Sequence, residues 1–545
     1  MIQTLSLPKR FLLLFSQLPA SPCPHYSPLL LLLPLLFLAF LLLSPPQPPH
    51  RPIQAPNLSE CHPIFVSSAS NSPLLNCCPP ILSPPYKILD FTFPLPNSPL
   101  RTRRPAHLLD SHYISQYSKA VQLMKDLPDT DPRSFYQQAN VHCAYCNGAY
   151  DQPGFSNLQL RIHGSWLFFP WHRFYLYFHE RILAKLIGDD SFALPFWNWD
   201  EPAGMQMPSA FVNNNSSSLY HPTRNPSHLP PVLVDLNFHE FWLRNQSDEN
   251  AHSVDDNLRI MYRQMIQNGA TSELFMGSAI RAGDHPEPGG GSVEFVPHDT
   301  VHTWTGDPRN HNDEDMGAFY SAARDPLFYP HHANIDRLWS VWKTLGPKHK
   351  DFSDSDWLDS TFHFYDEEAR LVRVKIRDCI DMDRLRYRYQ EVDNQWINMI
   401  HRTKKKKKKR NIGIINMREK VKFPVSVGNE AVVVSVKRPK RGGKEEVEVL
   451  VIEGIEIDGT DYSVRFDVYV NAWPDDFKRP NARECAGSFV SLPRLGRVVN
   501  GRTNLKLGIG ELIEEEEDYD EAVTVALVPR KGKATVSAVY ITWLS

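Results

Sequence analysis

The chain has 545 residues, of which 42% are hydrophobic and 22% are charged, and its formal net charge is −3. A chain of this length can form two or three domains around a large core. Because the charge balance is close to neutral, we expect no broad basic surface and therefore no binding to nucleic acids or membrane surfaces. The composition is that of an ordinary globular protein, so function must be sought in local motifs.

Residues 1–50 are predicted to be a signal or targeting segment. Lys9 and Arg10 precede an apolar run from Leu29 to Leu43. The run has fifteen residues, fewer than the roughly 20 that span a bilayer, and this length suits the core of a signal peptide. We therefore expect no stable transmembrane span and a secretory route to the vacuole or apoplast, with a short signal-anchor as the alternative.

Residues 51–110 are predicted to form an extended arm, because many of the 46 prolines lie before residue 110 and proline disfavours helix interiors. Cys77 and Cys78 cannot easily pair with each other, since neighbouring Cα atoms are held about 3.8 Å apart. Two disulfides that leave this pair in opposite directions would fasten the arm to the core. A C-x-x-C metal or redox site at Cys143 and Cys146 is the alternative, although the sequence has no second C-x-x-C.

Residues 111–345 are predicted to be a mainly helical domain with long loops. Loops at 200–235 and 282–297 separate its helical stretches, and loops of such length usually carry function. Apolar residues recur at helical spacing in two stretches. These are Tyr117, Val121, Leu123 and Met124 in one stretch, and Phe174, Leu176, Phe178, Ile182 and Leu186 in the other.

Residues 346–400 are predicted to be a linker segment that contains the motif Asp356-Trp357-Leu358. The basic run Lys404–Lys409 follows and should be solvated. Within 401–545, short runs of β-branched residues alternate with polar residues and turn signals, which is typical of an all-β module. The predicted strands are Val432–Val436, Val447–Ile452, Val464–Val470, Val523–Val528 and Val536–Ile541.

Six histidines fall into two sets of three among aromatic residues, and each set is predicted to bind one metal ion. Three imidazoles with an open fourth position suit copper or zinc, whereas calcium and magnesium prefer oxygen ligands. Two such sites in one chain indicate a coupled pair that handles a small molecule between them. The sets are His142, His163 and His172, and His298, His302 and His332.

The spacing of these histidines predicts how they are presented. His298 and His302 are four residues apart, which places both on one face of a helix. Pro170 lies between His163 and His172, so we expect His163 on a loop and His172 at the start of the next helix. His142 is predicted to lie on a helix of its own.

The residues after His332 are predicted to support it. Burying the adjacent His331 and His332 beside Phe328 and Trp339 would be costly without a partner, so metal binding is the favoured explanation. Asp336, one turn further along the helix, is predicted to hold an imidazole N–H and to fix the tautomer that binds metal. Asn334 is placed in the same outer layer around the ligands.

The motifs around these histidines resemble those of the plant polyphenol oxidases (catechol oxidases) of the tyrosinase family, which are type-3 copper proteins. The resemblance covers about residues 55–545. The matching motifs are His-Cys-Ala-Tyr-Cys-Asn-Gly-Ala-Tyr at 142–150, Ser-Trp-Leu-Phe-Phe-Pro-Trp-His-Arg at 165–173, Phe-Trp-Asn-Trp-Asp at 196–200, Phe-Tyr-Ser-Ala-Ala-Arg-Asp-Pro at 319–326, Asp-Trp-Leu at 356–358 and Arg-Phe-Asp-Val at 465–468.

The resemblance implies a mainly α core in which a four-helix bundle holds two copper ions, followed by a C-terminal β-sandwich that acts as a lid. The first set of histidines would hold the first copper and the second set the second copper. Both ions would be cupric at rest and cuprous when O₂ binds. The implied cross-links are a thioether between Cys146 and His163 and the disulfides Cys61–Cys78 and Cys77–Cys143.

The resemblance also implies the reaction, which is oxidation of catechols to o-quinones with reduction of O₂ to water. Glu294 matches the residue that orders a water near the coppers and is the candidate base. Phe319 matches a gate residue stacked above the second copper. Asp299 would raise the pKa of Glu294 if the two carboxyls share a proton, so we expect weak monophenol hydroxylation. The expected partners are O₂ and small phenols, and the expected state is a monomer or weak homo-oligomer.

Two other functions use similar ligands. A haemocyanin-like protein would bind O₂ reversibly, but such carriers are long arrays of functional units. A zinc hydrolase would need a motif such as His-Glu-x-x-His, which this sequence lacks.

The chain also departs from the family in two places. Its Leu-rich N-terminus replaces a typical bipartite plastid transit peptide, which leaves the thylakoid lumen as the alternative compartment, and Lys404–Lys409 is an insertion.

Overall fold

The three-dimensional structure is a computed structural model. The predicted signal segment 1–50 and the basic run Lys404–Lys409 lie outside the described residues. The structure describes residues 51–66, 74–81, 87–238, 249–399, 421–440, 443, 446–457, 462–474, 477, 482–493, 501–513 and 521–544.

The regular structure between the arm and residue 358 is mainly helical, and local sequence signals fix the ends of the helices. Asp110 and Ser134 accept hydrogen bonds from the first turns of α1 and α2, and Gly188 (φ 70°) ends α3 in the left-handed conformation. The α-helices are α1 (Ser111–Lys125), α2 (Phe135–Cys146), α3 (Phe168–Ile187), α4 (Glu249–Tyr262), α5 (Ser272–Met276), α6 (Thr300–Thr305), α7 (Phe328–Trp342), α8 (Ser355–Leu358) and α9 (Gly510–Ile513).

Helix α3 packs against α1 and α7, α1 also contacts α2, and four of the histidines lie on α2, α3, α6 and α7, so the predicted mainly α core is confirmed. Tyr117, Val121 and Met124 form the buried face of α1, whereas Leu123 is only partly buried because it points to the side of that face. Helix α3 is buried on nearly every side rather than along one stripe, as expected for the central helix of a core.

The arm is fastened to the core by disulfides and by strand pairing. Cys61 is joined to Cys78, and Cys77 is joined to Cys143 on α2. The arm contains β1 (Ile64–Phe65), β2 (Leu74–Leu75), β3 (Leu89–Asp90) and β4 (Arg101–Arg103), and the hairpin β5 (Asp151–Gln152) and β6 (Phe155–Gln159) follows α2.

The prediction that 346–400 is a linker is wrong. This segment contains α8, β7 (Thr361–Tyr365), β8 (Leu371–Lys375) and β9 (Tyr387–Tyr389). Strand β3 pairs with β8 and β4 pairs with β9, both in parallel. Trp357, Phe362 and Trp396 are fully buried in the helical core. The segment is therefore part of the core, because its aromatic residues supply apolar area that a solvated linker would leave exposed.

Residues after 421 form a sandwich of two antiparallel sheets around a second apolar core. One sheet has the order β10–β17–β12–β15 with β18 also paired to β12, and the other has the order β11–β16–β13–β14. The strands are β10 (Val425–Val427), β11 (Val432–Lys437), β12 (Val447–Ile457), β13 (Val464–Val470), β14 (Cys485–Ser491), β15 (Arg502–Gly508), β16 (Ala522–Lys531), β17 (Ala534–Val536) and β18 (Ala538–Leu544).

The predicted β-sandwich is thus confirmed, with two differences in its strands. The predicted strand Val536–Ile541 is divided into β17 and β18 at Ser537, whose N–H donates to the Glu453 carbonyl beside a bulge in β12. Strands β10, β14 and β15 were not predicted, because β10 has only three residues and because glycine, asparagine and lysine residues interrupt the β-branched pattern of β14 and β15. In the described part of the chain, no helix has the length and apolar character needed to cross a bilayer.

Candidate metal centre

The first set of histidines meets in the core from three different elements. His142 lies on α2, His163 lies on the loop before α3, and His172 lies near the start of α3 with Pro170 in its first turn, as the spacing predicted. The candidate ligand atoms of these histidines and of Cys146 lie within 4.8 Å of one another, and all four residues are buried. The arrangement is compact enough to surround one ion.

The second set is presented differently from the prediction of one regular helix. Helix α6 begins only at Thr300 and carries His302, while His298 lies in the preceding wide turn Glu294–Asp299. Within that turn Val296 has an extended backbone (φ −141°, ψ 123°), so the turn is irregular. His332 lies on α7. The candidate ligand atoms of these three residues and of His331 lie within 4.8 Å of one another.

Carbonyl groups fix the orientation of several imidazoles. The Nδ1 atoms of His142, His172 and His302 donate to the carbonyls of Phe319, Phe168 and Met316 at 3.0, 2.8 and 2.8 Å. A carbonyl can only accept, so the proton is on Nδ1 and the lone pair is on Nε2. The Nε2 atoms of His142 and His172 are buried and have no hydrogen-bond partner among the described residues. A lone pair fixed in this way is ready to bind a metal ion.

Distances within the second cluster also fit a bound ion. Nε2 of His332 lies 3.3 Å from Nε2 of His298 and 3.2 Å from Nε2 of His302. Tetrahedral ligand nitrogens around an ion at about 2.0–2.1 Å are roughly 3.3 Å apart. Burial lowers the pKa of His298 to about 3, and burial with neighbouring imidazoles holds the pKa of His332 well below its usual value. The imidazoles are therefore neutral, which is the form that binds metal.

The two clusters are adjacent. The ring centroids of His172 and His332 are 4.4 Å apart and stacked, and those of His163 and His298 are 5.7 Å apart. Aromatic rings of Phe168 and Phe328 pack against both clusters. A small molecule could therefore contact ions held in both clusters while bulk water is kept out.

His331 is a member of the second cluster that the sequence analysis did not assign. Trp199 Nε1 donates to His331 Nδ1 at 3.1 Å, so the proton of neutral His331 is on Nε2 and no free lone pair remains for a metal. The signal was present in the adjacent pair His331-His332, but only the contact with Trp199 distinguishes the two residues.

The three residues predicted to act on the substrate all lie at the clusters. The side chain of Glu294 accepts a hydrogen bond from the Gly164 N–H at 2.7 Å, and its second oxygen is buried. Burial, and then the charge of Asp299, raise the pKa of Glu294 well above its usual value. Asp299 Oδ1 lies 2.9 Å from His298 Nδ1.

Phe319 is placed differently from the expectation. Its ring stacks on His163 of the first cluster with centroids 4.1 Å apart, whereas the rings of His298 and His302 are 6.5 and 6.4 Å away. Phe319 therefore covers the first cluster more closely than the second. The loop that presents it also supplies the carbonyl that accepts from His142.

The predicted support of His332 by Asp336 and Asn334 is wrong. The Asp336 carboxylate accepts hydrogen bonds from Arg173, Tyr387 and Tyr389 at 2.6, 2.7 and 2.6 Å. Asn334 donates to Asp200 at 2.9 Å. One turn of helix points these side chains away from the ligand face, toward the segments that surround the bundle.

Comparisons with known proteins agree with the geometry. The common central domain of tyrosinase matches residues 132–345, the polyphenol oxidase middle domain matches 351–401, and the chloroplastic polyphenol oxidase C-terminal domain matches 423–543. A chloroplastic polyphenol oxidase of Malus domestica is 48% identical over 523 residues, which covers 91% of this chain and 85% of the relative. The chain belongs to the plant polyphenol oxidases of the tyrosinase family.

Solved structures support the same conclusion. Latent apple tyrosinase is 50% identical with a TM-score of 0.78, and the match covers 84% of this chain and 100% of that one. A latent aurone synthase is 40% identical with a TM-score of 0.82 over 90% of this chain and 99% of that one. The resemblance inferred from the motifs is confirmed, and the oxygen-carrier alternative is not favoured. Family membership and the two clusters are consistent with a binuclear copper centre.

Proposed function

We propose that the chain oxidises o-diphenols to o-quinones at two copper ions while O₂ is reduced to water. The observation that carries this proposal is the pair of adjacent, buried clusters of neutral imidazoles. His142, His163 and His172 would hold one copper and His298, His302 and His332 the other. A copper pair supplies two electrons together, one from each ion, which matches the two electrons that a catechol gives up.

The residues of the chain provide orientation, exclusion of water and a proton acceptor. Phe319 and Phe168 pack against the imidazoles and limit the approach to a flat aromatic substrate. Glu294 is the proposed base, because burial raises its pKa and makes it a stronger proton acceptor than an exposed carboxylate. The coppers are proposed to be cupric at rest and cuprous when O₂ binds.

A thioether between Cys146 and His163 is part of the proposal. Cys146 is fully buried in the first cluster, and burial raises the pKa of its thiol well above the usual value in the metal-free chain. Its place within the first cluster puts it beside His163. Formation of the S–C bond would remove the thiol hydrogen and one ring hydrogen, and O₂, the oxidant of the proposed reaction, would accept these two electrons and two protons. In a mass spectrum of the copper-loaded protein exposed to O₂, the linked peptides that contain both residues should be two hydrogens lighter than the sum of the free peptides. Two unlinked peptides of full mass would count against the thioether.

The C-terminal module, residues 401–545, is proposed to be a lid over the copper centre. Phe489 of β14 packs on Phe295 at 5.3 Å, and Phe295 lies in the turn that carries His298. The next residue of β14, Val490, is buried in the core of the helical domain. Arg465 of β13 donates to the Asn237 side chain at 2.7 Å. These contacts support a latent form in which the module blocks substrate access, and the two solved relatives are described as latent.

The lid is tested by cutting the chain within Lys404–Lys409. If the module covers the site, catechol oxidation should rise after the cut and removal of the fragment. A cut sample from which the fragment is not removed is the control for the protease itself. Equal rates for the intact chain and the separated helical domain would show that the module only stabilises the protein.

The compartment and oligomeric state complete the proposal. The curated relative from Malus domestica is named chloroplastic, which favours the plastid alternative over the vacuole or apoplast. We propose the chloroplast, with the thylakoid lumen as the specific site, and a monomer or weak homo-oligomer. Import of the labelled full chain into isolated chloroplasts and sedimentation of the purified protein test these two statements.

The central experiment measures copper content and oxygen uptake with catechol. His302→Ala should leave fewer than two coppers per chain and abolish uptake, because one copper cannot supply both electrons. His112→Ala, which changes an exposed histidine on α1, is the matched control and should behave as the wild type. Full activity in His302→Ala would contradict the ligand assignment, and reversible O₂ binding without quinone formation would favour an oxygen carrier.

A further inference from the structure

His163 depends on its backbone for its position more than the other proposed ligands do. Neither of its ring nitrogens has a hydrogen-bond partner within the described part of the chain. His332, whose Nδ1 is also unpartnered, is held in the middle of α7, but His163 lies on a loop. The ring of His163 is therefore placed by the loop itself and by its stacking on Phe319.

Both peptide groups of the next residue, Gly164, are held by one segment. The Gly164 N–H donates to the Glu294 side chain at 2.7 Å, and the Gly164 carbonyl accepts from the Gly289 N–H at 2.9 Å. Gly164 has a φ of +70°, and a Cβ there would lie 2.8 Å from the Cβ of Glu287. The loop of His163 is thus fitted closely against residues 287–294.

Strand β15 of the C-terminal module holds that segment from the other side. Asn504 Nδ2 donates to the Pro288 carbonyl at 2.9 Å, while its Oδ1 accepts from the Gly454 N–H at 2.8 Å. A Cβ on Gly289 would lie 2.9 Å from the Asn504 carbonyl oxygen, so the two backbones are in close contact.

A second contact from β15 reaches the same place. Lys506 Nζ donates to Ser278 Oγ at 3.0 Å and forms an ion pair with Glu273. The Ser278 N–H donates to the Gly289 carbonyl at 2.8 Å, and the Ser278 carbonyl accepts from Trp166, three residues after His163, at 3.0 Å. Asn504 and Lys506, two positions apart on β15, are therefore connected to the His163 loop by hydrogen bonds and by the short backbone segments between them.

We infer that Asn504 and Lys506 are positioning residues for His163, so that the C-terminal module holds the loop of the first copper site as well as covering the centre. This inference rests on the proposed copper function. Coupling between distant sites is carried by contiguous packed and hydrogen-bonded groups, and here the connection from Asn504 to His163 passes through Pro288, Gly289 and Gly164. Removal of the module should accordingly loosen the first copper site more than the second.

The test uses the full chain loaded with copper and the variant Asn504→Asp. Aspartate keeps the acceptor for the Gly454 N–H but loses the donor to Pro288, so one contact is removed at nearly constant shape. We expect faster backbone amide exchange at residues 163–166 and about fivefold faster loss of one copper to excess EDTA, the effect of losing one net hydrogen bond. Amide exchange reports on the loop even where a thioether holds the ring.

Asn471→Asp is the matched control. The side chain of Asn471 accepts from the Thr524 N–H within the module at 2.9 Å, and aspartate keeps that acceptor while adding the same charge. Lys506→Ala is the second variant and should also speed exchange at 163–166. If both variants match Asn471→Asp in exchange and copper loss at unchanged unfolding temperature, the inference is overturned. A wild-type chain that never binds two coppers would instead overturn the proposed function.

Discussion

The two histidine clusters offer the same donors but are built in different ways. In the second cluster, His298 and His302 come from one short stretch and His332 from α7, and their Nε2 atoms are already 3.2–3.3 Å apart. In the first cluster, His163 comes from a loop and has no fixed ring hydrogen. The second cluster is therefore set by local backbone geometry, whereas the first relies on contacts from distant segments.

The largest expected effect tests whether the second cluster uses three imidazoles or four. His332→Ala should lose the second copper entirely. His331→Asn should keep two coppers per chain, because Asn can still accept from Trp199 and His331 has no free lone pair to contribute. Copper content by elemental analysis decides the matter. Loss of copper in both variants would show that His331 is a fourth ligand and that the two clusters differ in their donors.

A change at Asp336 should disturb both clusters together. Asp336 holds Arg173 of α3 and Arg103 of the arm, and α3 and α7 each carry one ligand. Asp336→Ala removes the carboxylate that pairs with the buried guanidinium of Arg173, while Arg103 keeps its ion pair with Glu180, and this should cost about 3–5 kcal/mol of unfolding free energy. Urea unfolding measures this, with Glu368→Ala of the exposed Lys185–Glu368 pair as a control that should change little. Loss of only one copper in Asp336→Ala would mean that the helices are positioned independently.

Glu294 connects the clusters, because it precedes His298 and its side chain holds the loop of His163. Its pKa is raised in the folded protein, so the folded metal-free chain binds the proton that the unfolded chain releases above about pH 4.5. The contribution of Glu294 to the free energy of unfolding is therefore fully present below about pH 4.5. As the pH rises from there toward the folded pKa, the free energy of unfolding falls by up to about 1.4 kcal/mol per pH unit.

The variant Glu294→Gln isolates this contribution. The difference in unfolding free energy between wild type and Glu294→Gln should change with pH in that direction, measured on the metal-free protein by urea unfolding between pH 4.5 and 8. Taking the difference removes the contributions of other carboxyls. A difference that stays flat across the range would mean that Glu294 keeps its ordinary pKa and is not a raised base.

The smallest expected effect concerns Asp299, whose carboxylate lies 2.9 Å from Nδ1 of His298 in the second cluster. Burial is the largest cause of the raised pKa of Glu294, and the negative charge of Asp299 is the second. If the two carboxyls share a proton, Glu294 is less available to accept the phenolic proton, so we expect Asp299 to restrain monophenol hydroxylation. Asp299→Asn should raise the ratio of tyramine to dopamine turnover by a few-fold while copper content stays at two. A ratio that is unchanged or lower would show that Asp299 does not restrain the reaction.

The sequence alone identified both histidine sets and most strands of the C-terminal module. The sets were recognisable because imidazoles among buried aromatic residues are costly without a metal, and a run such as Val464–Val470 alternates as a strand must. The sequence also predicted that His163 lies on a loop, because Pro170 limits where α3 can begin.

Only the tertiary structure decided how those residues are supported. Asp336 contacts Tyr389 and Arg173, which are more than fifty positions away along the chain. Trp199 contacts His331 from another loop. Phe319 covers His163 more closely than it covers the second cluster. Likewise, the segment 346–400 is part of the core because its tryptophans pack against apolar side chains of the helical domain. Spacing along the chain determines which residues share a face of one helix or strand. Which other segment meets that face depends on the packing of the whole core, and that is not encoded in any single stretch of sequence.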